Sequence, residues 1–333
     1  MGIGARLSLV WGVLMAVWAT PVAAQTYTIV SVSTTAVGSV AAAASGATVF
    51  TVSPATGAIT KKSGAGARVS IAASRSLVTI SCGNQTACNT DQPKITISQT
   101  GIATNRANAL TLFTLSTTGA TASIVTAPAT GNTITATLGA IGQNLSKTIY
   151  VGADTTYSGD DSAAPTGNAS ASFLVQVTTN KGAGAVTLSG MVTATVFRTL
   201  TISNGANLSF GRVSRPQSGS GTVSLAAGAN TVAVTGIGVA ATSSPAPTSA
   251  SLTATGEGGQ VLTIAVPSTF TMSNGGNTLT VTTNAINSGA QTLSGTLGTA
   301  GTKVVTIGGS FPLDTTTALG AYSGSLTVNF QYN

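Results

Sequence analysis

The chain has 333 residues, 42% of them hydrophobic and only 6% charged, with six carboxylates and no histidine. Without histidine there is no Ser-His-Asp triad, no His-Glu-x-x-His zinc site and no Cys-His nucleophile pair. The formal charge of +7 is spread thinly, and Lys61-Lys62 is the one adjacent basic pair, which excludes the basic clusters that nucleic-acid recognition needs.

At the N-terminus, Arg6 precedes an apolar run from Leu7 to Ala19, and Val22-Ala23-Ala24 places small residues ahead of Gln25. This predicts a secretory signal peptide over residues 1–24, with an uncleaved anchor as the alternative. The run is shorter than the ~20 residues of a comfortable membrane span, and no later stretch qualifies. The expectation is export, with no membrane span after cleavage.

Beyond it the pattern is nearly all β. Ile95-Thr-Ile97, Leu262-Thr-Ile264-Ala-Val266, Leu279-Thr-Val281 and Leu326-Thr-Val328-Asn-Phe330-Gln-Tyr332 alternate apolar and polar residues, the period of a strand with one face buried. Turn residues such as Asn274-Gly275-Gly276-Asn277 separate them. The predicted class is all-β, built as two tandem Ig-like β-sandwiches. Ser218–Gly221 and Gly256–Gly259 read as turns, since neither has the helix or lysine of a phosphate loop.

Arg68 and Arg75 interrupt an alternating segment and read as exposed edge charges that discourage wrong pairing. Cys82 and Cys88 enclose five residues. In an exported chain such a pair predicts a disulfide that holds a small loop; two thiols without histidine are too few for a metal site. Asn84 and Gln85 in that loop are the candidate ligand-binding residues. Asp154, Asp160 and Asp161 are assigned to a loop between Gly152 and Gly167 as solvated turn carboxylates, with a calcium loop or a glycosidase pair as alternatives. No catalytic residue, metal or cofactor is expected.

The sequence also repeats. Val37-Gly38-Ser-Val40 matches Phe210-Gly211-Arg-Val213, and Lys147–Gly152 matches Lys303–Gly308. Gly167, Phe173, Val175, Val177 and Asn180 align with Gly320, Leu326, Val328, Phe330 and Asn333. The repeat predicts one sandwich over 25–197 and a second over 198–333. Residues 186–196 alternate apolar or glycine with other residues and have no counterpart after Asn333. They are assigned as the closing strand of the first sandwich; the alternative makes them the opening strand of the second. On the first assignment the C-terminal sandwich lacks its last strand and exposes an apolar groove with unpaired backbone groups.

That ending resembles those of chaperone–usher pilus subunits, with Tyr332 penultimate, Gly320 fourteenth from the end, and Leu326, Val328 and Phe330 alternating between them. More broadly, residues 198–333 resemble a bacterial family of pilin-like domains of unknown function (DUF4402), related to spore-coat-U-like subunits. The likeness lies in Leu208–Gly211, Thr253–Gly258 and Gly320–Gly324; the first copy matches less well, with Val37 in place of Phe210. The resemblance implies an adhesive tip subunit of a surface fibre, assembled by donor-strand complementation. Gly320, Tyr322, Leu326, Val328, Phe330 and Tyr332 would form the groove for a chaperone or donor strand. The implied partners are a periplasmic chaperone, an outer-membrane usher and a neighbouring fibre subunit, with a glycan or abiotic surface as target. The alternative is a self-contained secreted or cell-surface structural protein.

Overall fold

The computed structural model describes residues 27–70 and 72–333; the signal segment expected over 1–24 lies outside the described residues. Strands, numbered along the chain, dominate throughout. In the first half one sheet has the order β1 (Tyr27–Val32), β6 (Ser76–Cys82), β11 (Ser146–Tyr157), β3 (Thr48–Val52), β4 (Ile59–Ser63), with β8 (Thr111–Ser116) also on β11. The facing sheet has the order β5 (Ala67–Arg68), β2 (Thr35–Ala41), β13 (Val186–Phe197), β12 (Gly167–Thr178), β7 (Lys94–Ala103), β10 (Thr133–Leu138), β9 (Ile124–Thr126). Strict alternation builds these layers: β12 buries every second residue from Gly167 to Val177, so its apolar set faces one way. The inward side chains of both sheets merge into one continuous cluster that includes Tyr27, Phe50, Ile80, Phe113, Ile149 and Phe173.

Residues 186–196 lie in β13, between β12 and β2. β13 runs antiparallel to β12, with Val186 beside Val177 and Val196 beside Gly167, and parallel to β2, with Val192 beside Thr35 and Val196 beside Val40. Val192, Ala194 and Val196 are buried in the first half's cluster. Gly190 is there because Phe173 lies opposite: a Cβ at Gly190 would lie 2.2 Å from the ring.

The second half repeats the frame with one interruption. Its main sheet has the order β14 (Thr201–Ala206), β19 (Ala250–Glu257), β24 (Ala300–Asp314), β16 (Ser218–Leu225), β17 (Val232–Ile237); β22 (Asn277–Ile286) joins β24 and carries β21 (Thr269–Asn274). A small sheet has the order β23 (Gly289–Thr292), β20 (Val261–Ala265), β25 (Asn329–Tyr332), and β15 (Arg212–Val213) pairs with β18 (Ala241–Thr242). Here the apolar residues fall into two separate clusters. One holds Phe197, Leu262, Ile264, Val305 and Tyr332; the other holds Phe210, Val223, Leu225, Val281 and Phe311. Half-buried Leu208 touches both.

Several local expectations need correction. Asp154 is not in a loop; β11 continues to Tyr157 and buries it. Ser218–Gly221 opens β16 instead of forming a turn. Arg68 and Arg75 are not free edge charges. Arg68 donates to the Val37 and Ala72 carbonyls. Arg75 donates to Pro54, Ala55 and Thr118 and lies 3.3 Å over the Tyr150 ring. Backbone oxygens bind both guanidinium groups.

Candidate functional site: an open slot in the second half

The repeat locates the site. In the first half β13 fills the space between β2 and β12. The corresponding segments of the second half are residues 208–215 and 317–328, and a slot lies between them. Its first chamber, of about 330 Å³, is bounded by Phe210, Met272, Phe311, Leu313, Gly320 and Tyr322. The next, of about 500 Å³, lies among Leu208, Leu252, Phe270, Ile307, Leu326 and Val328. Leu208, Phe210, Met272 and Tyr322 border both chambers and form the ridge between them.

The backbone shows the same vacancy. β12 is paired on both edges, to β13 and to β7. Its counterpart forms a ladder only over Asn329–Tyr332, on β20, with an isolated bridge between Ser323 and Ser273. The alternation through Leu326 and Val328 predicts a longer strand than this. A strand with a neighbour on one edge only has fewer cross-strand bonds to hold it flat.

Phe330 and Tyr332 occupy the far end of the slot. Tyr332 is buried, its ring 5.5 Å from that of Phe197. Its hydroxyl donates to the Arg198 carbonyl at 3.1 Å and accepts from the Glu257 N–H at 2.7 Å. Burial, together with the charges of Glu257 and Asp160, holds the phenol protonated above its ordinary range. Gly256 permits this approach: a Cβ there would lie 2.1 Å from the hydroxyl oxygen. Glu257, fully buried, accepts from the backbone N–H groups of Gly298 and Arg198, and the Arg198 Nε lies 3.6 Å away. Sequence reasoning missed this junction; the one glutamate of the chain, set between two glycines, was its only signal.

The acidic trio is dispersed. Asp154 binds Thr51 and Lys62 at 2.6 Å each. Asp160 accepts from Arg106 and, at 2.8 Å, from the Thr199 N–H. Asp161 accepts from the Gly46 N–H. Burial raises the Asp160 pKa, but the hydrogen bonds from Arg106 and Thr199 outweigh it and hold the carboxyl below its usual range. No group of three or more potential metal ligands occurs among the described residues.

Cys82 and Cys88 are disulfide-bonded. Their loop leans on residues 142–145, through bonds from Gly142 N–H to the Cys88 carbonyl and from Asn144 N–H to the Gly83 carbonyl. The Asn84 side-chain oxygen accepts from Gln143 and Asn144, while Gln85 enters the short 3₁₀ turn Thr86–Asn89. This loop adjoins the Ser146 end of β11, where Ser146 pairs with Ser81, whereas Asp160, just past the other end, reaches Thr199 at the junction. The twelve residues of β11 at about 3.3 Å each put the loop roughly 35 Å from the junction.

Residues 200–332 match the family described as Domain of unknown function (DUF4402). Both chambers of the slot are lined by residues of this matched segment. A sequence search of curated proteins finds no match. Among solved structures, the chain is similar to one described as a chaperone–tip adhesin complex of CFA/I fimbriae biogenesis, at 8% identity and a TM-score of 0.24, covering 72% of this chain and 84% of the other. It is also similar to the CsuC–CsuE chaperone–tip adhesion subunit pre-assembly complex from the archaic chaperone–usher Csu pili of Acinetobacter baumannii. There the identity is 11% and the TM-score 0.30, with 92% of this chain and 100% of the other covered. No described helix is long and apolar enough to cross a membrane.

Proposed function

We propose that this chain is the adhesive end subunit of a chaperone–usher surface fibre, made of two tandem sandwich domains, and that its C-terminal domain accepts a strand from another protein. The observation that carries this reading is the slot itself: the position that β13 occupies in the first half is open in the second. A guest strand there binds by main-chain hydrogen bonds to the free edge of residues 320–328 and by apolar side chains set into the two chambers. Each such side chain contributes about 1.5–3 kcal/mol on burial. A periplasmic chaperone fills the slot first, and the extension of a neighbouring subunit replaces it after passage through an outer-membrane usher.

The first half supports the end-subunit role because its own β13 already closes it. Its Cys82–Cys88 loop is carried at the end away from the junction, where a rigid sandwich presents loops to a target. Asn84 and Gln85 are the candidate contacts there, toward a glycan or an abiotic surface. The reading assigns the chain no catalytic step.

Hydrogen exchange of the full-length protein, alone and with a synthetic peptide copying Val186–Phe197, tests the accepting slot. The expected result is new protection of residues 320–330 and a higher melting temperature. Unchanged exchange at a large peptide excess would overturn the reading.

A further inference from the structure

The slot does not end with the second domain. Past Val328 the last strand runs through Phe330, Gln331 and Tyr332 into an open cleft of about 490 Å³. Thr199 and Leu200 border this cleft, and its opposite wall belongs to the first half: Ala41, Ala67, Arg68 and Val69. Ala41 and Val69 pack against the same cluster as Phe330 and Leu200. β5, the strand bearing Ala67 and Arg68, stands at the edge of its sheet. The Arg68 side chain is held by the Val37 and Ala72 carbonyls, so it forms a fixed wall.

Direction follows from the repeat. β13 runs antiparallel to β12, starting beside Val177 and ending beside Gly167. The counterparts of those residues are Phe330 and Gly320. A guest strand of the same sense therefore has its C-terminal end beside Gly320 and its N-terminal end beside Phe330, pointing into the junction cleft. Resting on the strand-accepting reading above, we infer that the guest strand is held by both halves. Its N-terminal residues lie in the junction cleft against Ala67, Arg68 and Val69, so the first half helps select the partner. The partner that fits is an extended segment of another protein, apolar at alternate positions. Its accepted length exceeds what the two chambers of the second half alone would take.

Two peptides with a fluorophore at the C-terminal end, copying residues 183–197 and residues 188–197, distinguish the possibilities by anisotropy on the full chain. The longer peptide reaches the cleft; the shorter covers both chambers and stops opposite Val328. The expected result is at least tenfold tighter binding of the longer one. Val69→Asp and, separately, Ala67→Trp at an exposed position should remove that advantage while leaving the shorter peptide's affinity unchanged. Equal affinities of the two peptides, or variants that weaken neither, would overturn the inference and leave the accepting slot standing. Failure of both peptides to bind would remove the slot reading and the inference with it.

Discussion

The Tyr332 hydroxyl donates to the main-chain oxygen of Arg198, so the last strand is hydrogen-bonded to the residue that follows β13. The same hydroxyl is the acceptor for the Glu257 N–H. Tyr332→Phe keeps the ring against Phe197 but leaves that buried N–H unpaired. The expected loss is about 1–3 kcal/mol, read as a lower urea midpoint with unchanged slope.

Groove substitutions should act differently. Leu326→Asp and Val328→Asp place a charge where an apolar guest would lie. Peptide protection of residues 320–330 should fall at least tenfold, and recovery from the periplasm should drop. The first half should melt as before, because its cluster contains neither residue.

Acid should loosen the junction. The Asp160 carboxyl is held below its ordinary value by Arg106 and Thr199. A depressed carboxylate contributes stability that is present above its unfolded value, about 3.9, and is lost as pH falls through the folded one. Melting temperatures measured from neutral pH downward should fall below about pH 4, and Asp160→Asn should flatten that step. An identical acid profile in the variant would remove Asp160 as its cause.

Cys82→Ser opens a small loop, so the entropic cost is modest, roughly 2 kcal/mol. The first half should melt lower while peptide binding by the second half is unchanged. Adhesion should weaken if the loop touches the target; unaltered adhesion would move the contact elsewhere.

Calcium should have no effect. Asp154, Asp160 and Asp161 each bind a different protein partner, so melting curves with added calcium and with EDTA should superimpose.

The strand class was legible because alternation at β12 and β20 is a local signal, and the disulfide because two cysteines leave one pairing. Asp154 was misread because a carboxylate near glycines looks like a turn. Thr51 and Lys62, 103 and 92 positions away, make it acceptable inside a strand. Arg68 and Arg75 failed for the same reason, since Val37, Pro54, Ala55 and Thr118, whose carbonyls hold them, are remote in sequence. The junction formed by Phe197, Glu257 and Tyr332 depends on contacts between halves, which no local pattern encodes. The division of the second core, bridged by Leu208, likewise appears only when inward faces are assembled in space.

Because β13 leads directly into Arg198, any tension between the two halves pulls on that strand lengthwise. Its bonds to β12 extend from the Gly167–Val196 pair to the Val177–Val186 pair, roughly at right angles to such a pull. Load would therefore be shared along the ladder in shear rather than peeled off one bond at a time, and the β12–β13 seam would serve as the mechanical anchor of the first half.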